Sequence, residues 1–397
     1  MTRAFLVVMD SVGIGGAPDA GDFVSGSVPD TGANTLAHIA QARAGGLHLP
    51  NLDTLGLGAA LRLASGQVVP GLGTRPTGLW GAAIPQSAGK DTPSGHWDLA
   101  GVPLRRALRQ FPDREPAFPD AVVSVITNAA GTGGILGNCH ASGTEIVARL
   151  GAEHLRSRWP ICYTSADSVL QIAAHEQAFG LARLLALCAA IAPMMHAMNV
   201  GRVIARPFTG STDTGFVRTA NRRDFAMPPP DRTLCDWVGE AGRTVHAIGK
   251  IGDIFSMRGI DTLVKGSDAE LMAHLQHAVE RAEPGSLTFA NFVEFDSLYG
   301  HRRDVQGYAG ALEWFDAALG PVLTSLGPGD MMLITADHGN DPTWPGTDHT
   351  RECVPVLIAG GGRGSLGLLN FGDVAACVAA HLGVRNDGPG TNALPRD

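Results

Sequence analysis

Met331-Met332-Leu333-Ile334-Thr335 runs through Ala336 into Asp337-His338-Gly339-Asn340-Asp341, and this passage from apolar to acidic decides how the chain is read. A short, continuous apolar run suits a parallel strand covered by helices on both faces. Two further runs repeat the pattern. Ala4-Phe5-Leu6-Val7-Val8-Met9 stops at Asp10, and Leu287-Thr288-Phe289-Ala290-Asn291-Phe292-Val293 leads through Glu294 and Phe295 to Asp296. Helical patterns lie beside them. Asp268 to Ala282 places Leu271, Leu275 and Val279 on one face, and Tyr308 to Leu326 does likewise with Leu312, Phe315, Leu319 and Val322. Strands alternating with helices predict an α/β core with a mainly parallel sheet and helices on both faces. Functional groups in such a core gather at the carboxyl ends of the strands, where these acids fall.

At 397 residues the chain is long for one core, so two domains are expected. Residues 107–226 have a different texture. The short runs Val122 to Ile126, Pro160 to Thr164 and Arg202 to Ala205 read as strands, and Pro228-Pro229-Pro230 as a linker. We expect a smaller α+β cap domain over 107–226, inserted into a catalytic core of 1–106 and 227–397. The apolar stretch Phe179 to Met195, broken by Arg183 and Pro193, is read as a buried helix too short to span a bilayer.

A net charge of −8 argues against nucleic acid or an anionic membrane as partner. The six cysteines are scattered without a CxxC pair, and no secretory pattern follows Ala4 to Met9, so a cytoplasmic setting is expected. No obligate protein partner is inferred. Of 30 basic residues only Lys90, Lys250 and Lys265 are lysine, so each is a candidate for a place where lysine is specifically wanted, chance survival being the bland alternative.

Asp337 and His338, leaving a strand end, can both reach one cation. Asp296 with His301 forms a second pair, and His349 follows in Thr347-Asp348-His349-Thr350-Arg351. With Asp10 these make three carboxylates and three imidazoles, more than one catalytic ion takes from protein, and they suit two ions. Mixed carboxylate and imidazole donors fit Mn²⁺, Zn²⁺ or Fe²⁺ better than Ca²⁺. A metal pair of this kind clamps attacking and leaving oxygens in displacement at phosphorus. The nucleophile then comes from water or from a hydroxyl in Gly89-Lys90-Asp91-Thr92-Pro93-Ser94-Gly95-His96-Trp97-Asp98, whose bland reading is an N-capped turn. Gly13-Ile14-Gly15-Gly16 has Pro18 where a dinucleotide fingerprint needs glycine, so that reading fails.

The segment Asp10 to Ala20, the segment Lys90 to Trp97 and the two metal-ligand segments closely resemble prokaryotic phosphopentomutases of the alkaline phosphatase superfamily. Ala141 to Ile146, Tyr163 to Gln171 and Gly201 to Phe208 extend the resemblance over nearly the whole chain. It implies interconversion of ribose 1-phosphate and ribose 5-phosphate, and of the 2-deoxyribose analogues, with two Mn²⁺ ions and a phosphorylated threonine. Thr92 matches that threonine. Asp10, Asp337 and His338 would share one ion with Thr92, while Asp296, His301 and His349 would hold the other. Ser165, Asp167, Arg202, Arg218 and Lys250 match contacts to the sugar phosphate, guanidinium groups being suited to bidentate phosphate recognition. The resemblance also implies priming by a sugar bisphosphate such as glucose 1,6-bisphosphate. The inserted domain is expected to exclude water, because hydrolysis would turn a mutase into a phosphatase. A metal-dependent phosphomonoesterase of the same superfamily is the alternative; a phosphosugar-binding protein without turnover, or a phosphoglycerate mutase using serine, are further rivals.

Overall fold

A computed structural model describes residues 2–165 and 168–395. The chain divides into two compact units, Met1–Arg106 with Pro228–Asp397, and Ala107–Met227.

The first unit is built on an eight-stranded sheet. Its order is Thr262–Val264, Val245–Ile248, Leu287–Phe292, Ala4–Met9, Met331–Thr335, Val354–Ala359, Leu79–Ile84, Gly364–Asn370. Neighbours are parallel except at Val354–Ala359, which runs antiparallel to the strand on either side. Ala4–Met9, Leu287–Phe292 and Met331–Thr335 are adjacent and buried along their full length, which accounts for their unbroken apolar runs. Their registers pair Met9 with Phe292 and Val8 with Thr335, so the three chains leave the sheet at one level. Asp10, the turn holding Asp296, and Asp337 therefore emerge side by side.

Local signals set the helices. Ser267 and Glu270 form a capping box that opens Asp268–Arg281, and Asp304 caps Val305–Thr324 through Gly307 N. Leu271, Leu275 and Val279 on the first, and Leu312, Phe315, Leu319 and Val322 on the second, are buried as their spacing predicts.

The second unit has its own sheet, ordered Arg223–Ala226, Arg202–Ser211, Val169–His175, Ile161–Thr164, Leu136–His140, with Gly215–Arg218 paired to Arg202–Ser211. Side chains alternate across it. Ile161, Tyr163 and Ala173 join Ile146 and Val147 of the helix Gly143–Ser157. Cys162, Ile172 and Ala174 join residues of Asp120–Ala130 and Leu181–Ala197.

Two expectations are corrected here. Val122 to Ile126 is not a strand but lies in the helix Asp120–Ala130, closed by Gly131 in a left-handed conformation. Val122, Ile126 and Ala130 recur every four residues and are buried. A β-branched residue loses at most about 0.7 kcal/mol of helix propensity, whereas burying its side chain gains roughly 1.5–3 kcal/mol, so packing wins. The apolar stretch near Phe179 is also longer than expected. A π-helical turn, Glu176–Gly180, joins Leu181–Ala197. The resulting 22 residues are long and apolar enough to cross a membrane by length and composition, though Leu184, Leu187, Cys188, Ile191 and Met195 are buried in the unit's own core.

Candidate metal centre

Asp10, Asp337 and His338 present ligand atoms within 4.8 Å of one another, and so do Asp296, His338 and His349. His338 belongs to both groups and joins them. Its Nε2 lies 3.5 Å from Asp10 Oδ1 and 3.2 Å from Asp337 Oδ2, and its ring stacks on His349 with centroids 3.9 Å apart. In the second group, Asp296 Oδ1 is 3.4 Å from His349 Nε2, and Asp296 Oδ2 is 3.1 Å from His301 Nε2. His301, the most exposed of the six, closes on His349 with 3.2 Å between their Nε2 atoms.

Asp296 and His301 reach one face through an irregularity. Phe295–Gly300 is a π-helical turn, in which His301 N donates to Asp296 O at 3.0 Å. Residues five apart diverge around an α-helix, but the wider π turn superposes them. On the other side Ser11 adopts φ 71°, a strained left-handed conformation worth roughly 1–3 kcal/mol for a non-glycine residue. That bend lets Ser11 N donate to Asp337 Oδ1 at 3.1 Å, while Ser11 Oγ meets Tyr308 Oη at 2.8 Å.

The donor set fits divalent cations on three counts. First, each histidine turns Nδ1 to a backbone carbonyl: His301 to Thr347 at 2.7 Å, His338 to Gly339 at 3.1 Å, His349 to Lys90 at 2.9 Å. Nδ1 is thereby committed to donating, and Nε2 is the nitrogen left to face a cation, the usual arrangement around a metal-ligating histidine. Second, Asp10 Oδ1 and Asp337 Oδ2 are buried with no hydrogen-bond donor. A buried carboxylate oxygen is costly unless a cation meets it. Third, the charges are mutually dependent. Burial, then the neighbouring Asp337 and Asp296, hold Asp10 well above the usual carboxylate range. Burial opposes ionisation of Asp296 too, but His349 and His301 outweigh it and hold that acid well below the range. Against its own burial, His349 is pushed up to about 10 by Asp296. Cations would satisfy these acids without protonating the imidazoles.

Thr92 opens the helix Thr92–Leu99, with Asp91 as N-cap and Pro93 in its first turn. Thr92 Oγ1 stands 3.2 Å from His338 Nε2. Ser94 is turned away and fully buried: its Oγ donates to Asp91 Oδ2 at 2.7 Å and its backbone N to Asp91 Oδ1 at 3.1 Å. The capped-turn and nucleophile readings of this segment are thus compatible, one using Ser94 and the other Thr92. Gly95 permits the close approach, since a Cβ there would collide with the Asp337 carbonyl.

Lys90 is a clamp. Its Nζ reaches Val24 O and Ser25 Oγ, both at 2.9 Å, and Asp30 Oδ2 at 3.0 Å. Lys265 forms an exposed pair with Asp253. Lys250 follows Gly249 at the end of Val245–Ile248, exposed, with its charge reaching Asp10 and Asp268.

Arg351 was not singled out from sequence, yet it is buried and heavily engaged. Nε and Nη2 grip Asp19 at 3.0 and 2.8 Å, while the carbonyls of Ser87, Gly89 and Pro85 accept from Nη1 and Nη2 at 2.8, 2.8 and 3.0 Å. It therefore holds the strand of chain that leads to Thr92. A lysine cannot reproduce this planar fork. Arg351→Lys is expected to destabilise the protein by about 2–4 kcal/mol, read as a fall in the urea midpoint; an unchanged midpoint would remove Arg351 from this role.

In the second unit, Arg202 begins its strand within 3.9 Å of Asp224, and Arg218 ends another strand, exposed. Arg206 and Arg222, which sequence reading passed over, share with Arg218 an electrostatic influence on the buried Tyr163 phenol. Ser165 follows Ile161–Thr164; Asp167 lies outside the described residues.

Residues 2–386 match the metalloenzyme superfamily. A phosphopentomutase of Agrobacterium fabrum is 53% identical over 401 residues, covering 97% of this chain and 98% of its own. One of Rhizobium meliloti is 54% identical over 402 residues, with the same coverage.

Proposed function

This chain belongs to the phosphopentomutase family of metalloenzymes, and we propose that its Thr92 carries the phosphoryl group between two hydroxyls of one pentose. The enzyme is an isomerase and uses divalent metal. We assign ribose 1-phosphate and ribose 5-phosphate, with the 2-deoxy analogues, as substrates. The observation that carries the assignment to Thr92 is its hydroxyl, 3.2 Å from His338 Nε2 at a helix N-terminus, while Ser94 is committed to Asp91.

Two ions, Mn²⁺ in this reading, would be held by Asp10, Asp337 and His338 and by Asp296, His301 and His349. Bound there, they would neutralise charge on the transferred phosphoryl oxygens and lower the pKa of the Thr92 hydroxyl. The protein's part is geometric. Thr92 stands at the N-terminus of Thr92–Leu99, where the positive end of the helix dipole favours a negatively charged phosphoryl group. In the first half-reaction the bond between Thr92 Oγ1 and phosphorus breaks as the free sugar hydroxyl bonds to phosphorus. That hydroxyl gives up its proton and Thr92 regains one. The second half-reaction reverses these changes at the other end of the resulting sugar bisphosphate. Arg202, Arg218, Ser165, Asp167 and Lys250 are the groups we assign to binding the sugar phosphate. A sugar bisphosphate such as glucose 1,6-bisphosphate loads Thr92 initially. Six free, buried cysteines support a cytoplasmic setting.

Incubation of ribose 1-phosphate with Mn²⁺ and a trace of glucose 1,6-bisphosphate tests the reading. Ribose 5-phosphate should accumulate much faster than inorganic phosphate. Phosphate release outrunning isomerisation would instead identify a phosphomonoesterase.

A further inference from the structure

His96 is fully buried on the helix that Thr92 opens, one turn further on. Its Nδ1 lies 2.9 Å from the Thr92 carbonyl and 3.0 Å from Asp337 Oδ2. Its Nε2 lies 3.1 Å from Asn291 Nδ2, which also donates to Asp10 Oδ2 at 2.8 Å. Its ring stacks on Phe289, 6.1 Å between centroids, so the imidazole has little freedom to turn.

The protons in this chain of contacts have one consistent arrangement. The Thr92 carbonyl only accepts, so His96 Nδ1 donates to it, and Asn291 turns its amide nitrogen between His96 Nε2 and Asp10. The second hydrogen of that NH₂ points to His96 Nε2, which must be the bare nitrogen. The ring proton is then on Nδ1, directed to the carbonyl of Thr92. This also explains why Asp337 Oδ2, though close to His96, has no hydrogen-bond donor and stays available to a cation.

We propose that His96 is a positioning residue: through Asn291 it ties the backbone of Thr92 to Asp10, so that the phosphoryl carrier and the metal-binding acids keep one geometry. Three elements meet in this link: the strand ending at Asp10, the strand Leu287–Phe292 that bears Asn291, and the helix that bears Thr92. His96 meets Thr92 at its backbone carbonyl, whereas the hydroxyl of Thr92 lies beside His338. Its action is on distance, to which in-line transfer is sensitive: a misplacement of about 1 Å can lower the rate by ~10²-fold.

The inference rests on Thr92 as carrier, and the test separates the two. His96→Leu is expected to lower kcat by ~10²-fold with KM within about threefold of the parent. Single-turnover phosphorylation of Thr92 by glucose 1,6-bisphosphate, followed by peptide mass, should slow equally. Asn291→Ala should lower kcat similarly. Because the two residues act as one link, the double variant should fall no more than about threefold below the weaker single one. His96→Asn, whose amide can replace the Nδ1 donor, should recover at least ~10-fold over His96→Leu. ¹⁵N NMR of histidine-labelled parent protein should show the Nδ1–H tautomer at His96. Should His96→Leu fail to fold, His96→Asn against Asn291→Ala and the tautomer carry the test.

A kcat for His96→Leu within threefold of the parent overturns the inference, as do losses that multiply in the double variant, or an Nε2–H tautomer. If Thr92→Ala retains isomerase activity, it is the carrier assignment that falls.

Discussion

Thr92→Ala is expected to lower isomerisation by ~10³-fold or more and to leave the Asp91-to-Arg105 tryptic peptide without phosphate after exposure to glucose 1,6-bisphosphate. An alcohol is a weak nucleophile at neutral pH and needs an adjacent positive centre to ionise. Thr92 Oγ1 sits beside His338 Nε2, at the edge of the group formed with Asp10 and Asp337, where such a centre would lie. Alanine removes the hydroxyl oxygen that would carry the group in this reading. Ser94→Ala is the contrast. Its hydroxyl supplements the Asp91 cap, while its backbone N still donates to Asp91. The expected loss is about 1 kcal/mol of stability, with isomerisation within a fewfold of the parent. Inactivity of Ser94→Ala alongside activity of Thr92→Ala would reverse the assignment.

The second large effect is at Asp10. Asp10→Asn is expected to lower activity by ~10³-fold or more while raising the melting temperature of the metal-free protein by ~2 °C or more. Both follow from one feature. Asp10 is fully buried, one of its oxygens has no donor, and burial with Asp337 and Asp296 nearby holds its carboxyl well above the ordinary range. The sign follows from that direction. A carboxyl whose folded-state pKa is raised destabilises the fold once pH exceeds its unfolded value, so at neutral pH neutralising it stabilises the metal-free protein. Asparagine can still accept from Asn291 Nδ2, which preserves the other contact. The same substitution removes a negative donor from the cation site, so Mn²⁺ should raise the melting temperature of the variant less than that of the parent. A variant less stable without metal and equally stabilised by Mn²⁺ would contradict this account.

Much of the site was legible because strands that end at acids are a local signal, and parallel registers convert it into proximity. Met9 pairs with Phe292 and Val8 with Thr335, which is all that Asp10 and Asp337 need in order to meet. What was not legible depended on irregular backbone or on partners distant in sequence. The π turn that aligns Asp296 with His301, and the left-handed Ser11, carry no periodic pattern. Nor does a sequence show that Val354–Ala359 enters antiparallel, or that Asn291 inside a strand core faces an acid rather than a hydrophobe. His96 lay within a segment singled out for its hydroxyls and lysine, yet its role depends on atoms nearly 200 residues away, which no spacing rule reaches. The segment Val122 to Ile126 misled for the opposite reason: its composition favours a strand, and only its burial reveals a helix.

An anomalous difference map from crystals grown with Mn²⁺ tests the central claim most directly. Two peaks are predicted, one within ~2.5 Å of side-chain atoms of Asp10, Asp337 and His338 and beside the Thr92 hydroxyl, the other within ~2.5 Å of Asp296, His301 and His349. A single peak, or two peaks away from these side chains, would contradict it.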